Sequence, residues 1–314
     1  MKARYSSNCI SVLEKFPIIE VPPDAPEKSE EMGTKEKFWF RERDRGLFLY
    51  KKARPNTGED WSEKIASELC KLLKLPHAQY ELATFNGERG IISPFFVPQG
   101  GNLILGNEVL AQLLSDYPKD ATNPSQHNID NVFQVIGDAS IDLPMSWTPP
   151  NNIKVAVETF VGYLLLDAWI GNTDRHHENW ALIRFEEKTY LAPTYDHASC
   201  LGRNELDDRR KARLNTKDAR FSVTAYVEKC KSCLYAEVRD RKPLKTFDAF
   251  CRAADRYPEA AHAWLDSLAR VSTSDTLELF HRIPSDRISS TAIEFAQKIL
   301  EINQNRLLVW WKTR

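Results

Sequence analysis

Three side chains in this 314-residue chain are suited to work together on a phosphate: Asp174, Asn179 and Asp196. The first two sit in the run Gly171-Asn172-Thr173-Asp174-Arg175-His176-His177-Glu178-Asn179-Trp180. The third sits in Ala192-Pro193-Thr194-Tyr195-Asp196-His197-Ala198-Ser199. Phosphoryl transfer needs a carboxylate that accepts or orients the proton of the acceptor hydroxyl. It also needs hard oxygen ligands for the magnesium ions that bridge nucleotide phosphates. Asp174 suits the first task, and Asn179 and Asp196 the second. Taken singly, each reads as a polar residue in a helix-to-strand loop. Together, around a predicted hairpin and with a strand-borne lysine, Lys51, upstream, they read as a catalytic set. The adjacent His176 and His177 cannot both face one metal from regular structure, and no further ligand cluster accompanies them. His177 is expected at the surface. Asp167, ahead of the loop on an apolar helix, is expected to make buried hydrogen bonds.

The elements that must position these residues can be read from periodicity. Phe38 to Phe40 and Leu47 to Tyr50 flank a turn at Asp44-Arg45-Gly46, which predicts a hairpin ending near Lys51. A helix follows: Asp60 and Glu63 match a capping box, Ile65, Leu69, Leu72 and Leu73 keep helical spacing, and Pro76 closes it. Tyr80 to Phe85 and Gly90 to Phe96 read as strands around an Asn86-Gly87 turn. A long apolar helix over about 153–170 runs into the catalytic loop. Trp180 to Phe185 and Thr189 to Leu191 form the next hairpin, and a helix over about 292–310 closes the chain.

Composition narrows the class. The formal net charge of −1 gives no global attraction to nucleic acid or to an anionic membrane. The longest apolar stretch is too short to span a bilayer, and no secretory signal opens the sequence. A cytoplasmic protein with neither direct nucleic-acid binding nor membrane attachment is expected. Cys230 and Cys233 form a C-x-x-C pair without a second pair, so ordinary reduced cysteines are expected. The run from Arg203 to Arg213 (Arg209, Arg210, Lys211, Arg213) mixes bases with Glu205, Asp207 and Asp208 and reads as an exposed loop. It follows Asp196, where kinases place a substrate loop, which makes it a candidate docking segment.

Both catalytic runs resemble the carboxy-terminal domain of the HipA-like kinases, and the Asp-Arg-His-x-x-Asn core at 174–179 also resembles that of phosphoinositide kinases. The resemblance includes Lys51 with Gly58-Glu59-Asp60-Trp61, the segment 90–107 and the closing Glu294-Phe295-Ala296 helix. It covers most of the chain from about Gly33. It implies an α+β, bilobal protein-kinase-like fold, with a small β-rich amino-terminal lobe and a larger, mainly helical carboxy-terminal lobe. The corresponding boundaries are an irregular arm over 1–30, the small lobe over 31–110, and the helical lobe over 111–314 with its loop at 172–179.

The same resemblance implies ATP and Mg2+ as cofactors, with ATP between the lobes and Lys51 on its phosphates. Glu63 matches the acidic helix position that pairs with this lysine, although it fits a capping-box role equally well; Glu68 is the alternative partner. Gly33, Thr34 and Lys35 fall at the phosphate-covering loop, with a single glycine, and Thr34 is the hydroxyl near the regulatory serine of larger HipA proteins. Phe96 and Val97 fall at the adenine-binding hinge and fit core strand positions equally well. His176 takes a structural or phosphate-proximal place. The implied activity is that of a serine/threonine protein kinase acting on a protein hydroxyl, of the toxin–antitoxin type directed at a translation component. The same loop also serves lipid or small-molecule kinases, and a scaffold that transfers nothing is the rival from another class. With almost no room ahead of the kinase core for the extra subdomain of HipA, the chain resembles the shorter members. Some of these work with a small companion protein and a DNA-binding antitoxin.

Overall fold

Two short strands, β1 (Ile18–Val21) and β2 (Lys28–Ser29), precede a hairpin of β3 (Lys37–Glu42) and β4 (Gly46–Lys52). The computed structural model describes residues 13–29, 36–42, 45–150 and 152–314. β1 and β2 lie in the stretch expected to be irregular. Pro17 and Pro22 bracket β1 rather than interrupt it, so they leave its hydrogen bonds intact. Helix α1 (Glu59–Leu73) leads to a second hairpin, β5 (Glu81–Phe85) and β6 (Glu88–Pro94). Its turn residues Asn86 and Gly87 have φ of 50° and 78°, the pair of positive values that a two-residue hairpin turn needs.

These strands form one sheet in the order β1-β5-β6-β4-β3-β2. Strand alternation sorts its faces. Phe38, Phe40, Phe48, Tyr50 and Ile92 pack with Val21 and Ala83 on one face. Trp39, Leu49, Lys51 and Ser93 look into a cleft on the other. Lys52, next to Lys51, points away from that cleft and pairs with Glu36 and Glu88.

The predicted capping box of α1 does not form. The helix starts at Glu59 after Gly58, without a side-chain cap. Its acidic residues are drawn to other elements instead. Asp60 pairs with Arg89 of β6 and with Arg287, far along the chain. Arg287 also donates to Ala83 O and Thr84 Oγ1 of β5, and Phe16 N donates to Arg282 O at 2.7 Å. The small lobe is thus stapled to the last quarter of the chain.

The rest is mainly helical. Strand β7 (Asn102–Leu105), α2 (Gly106–Leu113), α3 (Ile129–Ile136) and β8 (Ile141–Asp142) lead to α4 (Ala156–Ile170), followed by β9 (Ala181–Phe185) and β10 (Lys188–Leu191). The second sheet runs β7-β9-β10-β8. Helix α4 is apolar on every side, and nearly all of it is buried. Of the later helices, α5 (Asp207–Asn215) and α6 (Val223–Val227) place Leu214, Val223 and Val227 in a separate cluster with Phe295 and Ile299, whereas α7 (Thr246–Arg256), α8 (Pro258–Ala269), α9 (Thr273–Arg282) and α10 (Ser290–Lys312) share the main core with α4 and α1. No described helix is long and apolar enough to cross a membrane.

The run expected as an exposed loop after Arg203 contains α5, and its arginines are occupied. Arg210 binds Asp207 and the carbonyls of Gly202 and Arg203. Arg213 binds Glu205 and lies 4.5 Å from the Phe221 ring centroid. These two cations hold their own segment together, while Arg209 and Lys211 are exposed.

Candidate active site

The candidate catalytic loop begins where α4 ends. Gly171 adopts φ 65° and caps the helix, a conformation glycine reaches without steric cost. Asn172 then folds back, its amide donating to Asp167 Oδ1 at 2.8 Å. Arg175 meets the same carboxylate with a two-pronged contact, Nε to Oδ2 at 2.7 Å and Nη2 to Oδ1 at 2.8 Å. Its third nitrogen donates to Asn179 O at 2.6 Å, and Nη2 also reaches Thr194 Oγ1 at 3.0 Å. Arg175 is fully buried. One guanidinium therefore ties the start of the loop, its end and the strand exit before Asp196 to helix α4. The expected buried hydrogen-bonding role of Asp167 is what the structure shows. The loop is also covered from α2: a Cβ on Gly106 would sit 2.2 Å from Trp180 and 2.4 Å from His177 O, so only glycine fits there.

Above the loop lies the cleft between sheet and helical lobe. Lys51 on β4 and Asp196 converge, with Nζ 3.1 Å from Oδ2. Burial pulls the lysine pKa down, but Asp196, and after it Tyr80 and Glu63, outweigh this and raise it. Lys51 is a fixed cation. Asp196 has φ 58°, an uncommon conformation for a residue other than glycine, and its N–H donates to Tyr80 Oη at 3.1 Å. Asn179 lines the same cleft, and its amide nitrogen donates to Asp174 O at 2.6 Å. That bond leaves the amide oxygen as the remaining donor for a cation.

Glu63 is buried and accepts from His197 N at 2.6 Å, close enough to Lys51 to raise its pKa. Glu68 does not serve Lys51; it binds Lys64 and Lys71, each at 2.7 Å. Phe96 and His176 line the cleft. Val97 is packed in a small core with Ala181, Ile183 and Ala192. Gly33, Thr34 and Lys35 lie outside the described residues.

Asp174 is held on the other side of the loop. Its carboxylate accepts from Ser199 Oγ at 3.3 Å, and Ser199 Oγ in turn accepts from Arg203 Nη2 at 2.9 Å. Arg203 also pairs with Glu59 at the start of α1, which Arg54 binds as well. Glu59, Ser199 and Arg203 were not singled out for this role. Ser199 and Arg203 follow Asp196 by three and seven positions, and Ser199 and Glu59 fall within runs that carry the resemblance, but nothing in the sequence links them to Asp174.

His177 is buried, not exposed as expected. Its Nδ1 lies 2.7 Å from Tyr117 Oη, and burial lowers its pKa to about 4. His127 accepts from Trp180 Nε1 at 3.1 Å, which makes its Nδ1 the donor to Cys233 O. Burial holds its pKa at about 3. Both rings are neutral structural groups beneath the loop. Burial also pushes the Cys230 and Cys233 thiols up to about 11 and about 12, and both are free. Among the described residues no group of three or more His, Cys, Asp or Glu side chains could hold a metal. A cation at Asn179 and Asp196 would take its other ligands from a bound phosphate and water, as Mg2+ commonly does.

The model of the HipA-like C-terminal domain family matches residues 30–273. Among solved structures, the Helicobacter pylori proinflammatory kinase CtkA is similar to this chain with a TM-score of 0.75 and 18% identity, over 95% of this chain and 98% of that one. A chain of the Shewanella oneidensis MR-1 toxin–antitoxin complex of HipA, HipB and operator DNA is similar with a TM-score of 0.58 and 11% identity, over 92% of this chain and 68% of that one. No curated protein matches by sequence. The likeness to CtkA establishes the bilobal kinase-type α+β fold.

Proposed function

The chain belongs to the HipA-like C-terminal domain family, and on that premise we propose that it is an ATP-dependent serine/threonine protein kinase. The observation that carries this reading is the convergence of Lys51 and Asp196 at 3.1 Å across a cleft that Asn179 also lines, with Asp174 held on the same loop by Ser199. In this reading Phe96 would contact the base of ATP and Lys51 its phosphates. Asn179 and Asp196 would hold Mg2+, which when bound neutralises charge on the phosphates.

In the reaction the acceptor oxygen forms a bond to the γ-phosphorus while the bond from that phosphorus to the ADP oxygen breaks. The proton of the acceptor hydroxyl passes to the Asp174 carboxylate, and ADP leaves. Lys51 stays cationic throughout and offsets the charge that develops on the phosphoryl oxygens. Arg175 and Ser199 act earlier, by fixing loop and carboxylate before substrate arrives, so little reorganisation is left for the chemical step. A toxin–antitoxin setting, with a translation component as target and a small antitoxin partner, belongs to the same reading. The toxin–antitoxin complex that contains a similar chain supports it.

The test is incubation with γ-labelled ATP and Mg2+, first alone, then with cell extract, then with lipid vesicles. Label is expected on serine or threonine of protein, and Asp174→Ala should reduce it by about 10²–10⁴-fold. Label confined to lipid would move the acceptor to another class. No Asp174-dependent label on any acceptor would sink the kinase reading.

A further inference from the structure

The segment between α6 and α7 builds a second cleft that the nucleotide site does not use. Its volume is about 390 Å3, and Thr173, Lys229, Lys231, Ser232, Cys233 and Tyr235 contribute to its walls. Thr173 directly precedes Asp174, and the Cys233 thiol donates to Thr173 O at 3.6 Å. The cleft therefore shares a wall with the catalytic loop on the side of the base. Its floor is firm: Ser232, Cys233 and Tyr235 are buried. Backbone bonds fix it further, from Ser232 N to Leu244 O at 2.9 Å and from Tyr235 N to His127 O at 3.0 Å.

The charge of this cleft is one-sided. Lys229 and Lys231 are exposed and form no ion pair among the described residues, and no carboxylate lines the cleft. Lys231 stands directly opposite Lys245 in an antiparallel bridge. Such a position brings like charges onto one face and is destabilising. Lys245 also lacks an ion pair among the described residues. In α5, by contrast, Arg210 and Arg213 are neutralised by Asp207 and Glu205.

We propose that this cleft docks the acceptor segment of the protein substrate and selects segments with Asp or Glu beside the serine or threonine. Carboxylates on the segment meet Lys229 and Lys231 and relieve the repulsion between Lys231 and Lys245, while the neighbouring hydroxyl is delivered to Asp174. The proposal rests on the kinase reading and names its substrate class.

The test separates the two. The whole chain carrying Asp174→Ala is titrated into fluorescent serine peptides flanked by Asp and Glu, by Ala, or by Lys, and anisotropy is followed. The acidic peptide is expected to bind about tenfold more tightly than the alanine peptide, with the difference shrinking as salt is raised. Adding Lys229→Glu and Lys231→Glu should turn the preference toward the lysine peptide, an outcome a merely unfolded variant cannot produce. Equal affinity for all three peptides, or an unchanged preference after charge reversal, overturns the docking proposal. So does single-stranded RNA that displaces the acidic peptide as well as unlabelled peptide does. In parallel, wild-type protein is given labelled ATP and the same peptides. Absent transfer alongside charge-dependent binding defeats the kinase reading while the cleft stands. Transfer that ignores peptide charge defeats the cleft while the kinase reading stands.

Discussion

Two aspartate–cation pairs bracket the catalytic loop, and they differ in everything except their chemistry. Asp167 and Arg175 meet at 2.7 Å with side chains 2% and 0% exposed. Asn172, Asn179 O and Thr194 satisfy the remaining polar groups around them. Lys51 and Asp196 meet at 3.1 Å with side chains 13% and 33% exposed, on the wall of an open cleft. A fully buried pair with every guanidinium nitrogen engaged cannot exchange partners without disrupting the core. A pair at a cleft wall can open to admit a ligand between its members. The buried pair sets shape, and the cleft pair is the one that, on the proposed reading, meets substrate.

The sharpest way to break this comparison is to remove one carboxylate from each pair. Asp167→Ala leaves a buried guanidinium unpaired and should lower unfolding free energy by about 3–5 kcal/mol in a denaturant titration. Asp196→Ala should cost less stability than Asp167→Ala, because its pair borders an open cleft, yet reduce phosphotransfer by about 10²–10³-fold. If the two variants lost stability equally, the division of labour would be wrong.

The neutral histidines under the loop extend the comparison to pH. His127 and His177 have pKa values held at about 3 and about 4, below the usual 6.5. Between about pH 6.5 and 4 the unfolded chain therefore binds more protons at these positions than the folded one. Stability should fall as pH drops through this window, by about 1.4 kcal/mol per pH unit for each histidine. His127→Gln should flatten the slope, measured as unfolding free energy against pH. The smallest effect is expected at Ser199, which acts through Asp174. Ser199→Ala should lower kcat by about tenfold with KM for ATP unchanged, and Ser199→Thr should restore most of the loss. A rise in KM for ATP with kcat intact would place Ser199 at the nucleotide instead.

The parts of the site legible in the sequence were those with local context. Asp174, Asn179 and Asp196 stand around a hairpin whose turn and strands follow from pattern, and Lys51 ends a strand whose alternation is plain. Residues acting across the fold left little signal. Arg203 reaches Glu59 over 144 positions, and nothing near either residue reveals the other. The same reason explains the capping box that does not form: Glu63 had a local partner on paper, but the backbone of His197 takes it. His177 was misplaced because a polar residue in a loop is usually solvated, whereas here α2 covers the loop. The run after Arg203 was read as an exposed loop because its mixed charges hide the helix α5, in which Arg210 and Arg213 turn inward to Asp207 and Glu205.

The staple between Asp60 and Arg287 has a consequence for how the protein is made. The two partners are separated by 227 positions, which a ribosome covers in roughly 10–45 s. Arg89 follows Asp60 by 29 positions and can pair with it early, but until Arg287 emerges the site it fills beside β5 is empty. The small lobe cannot reach its final form when its own last strand emerges; it must wait for Arg287. During synthesis the sheet is exposed to chaperones and proteases, and the enzyme's two halves reach their native state together.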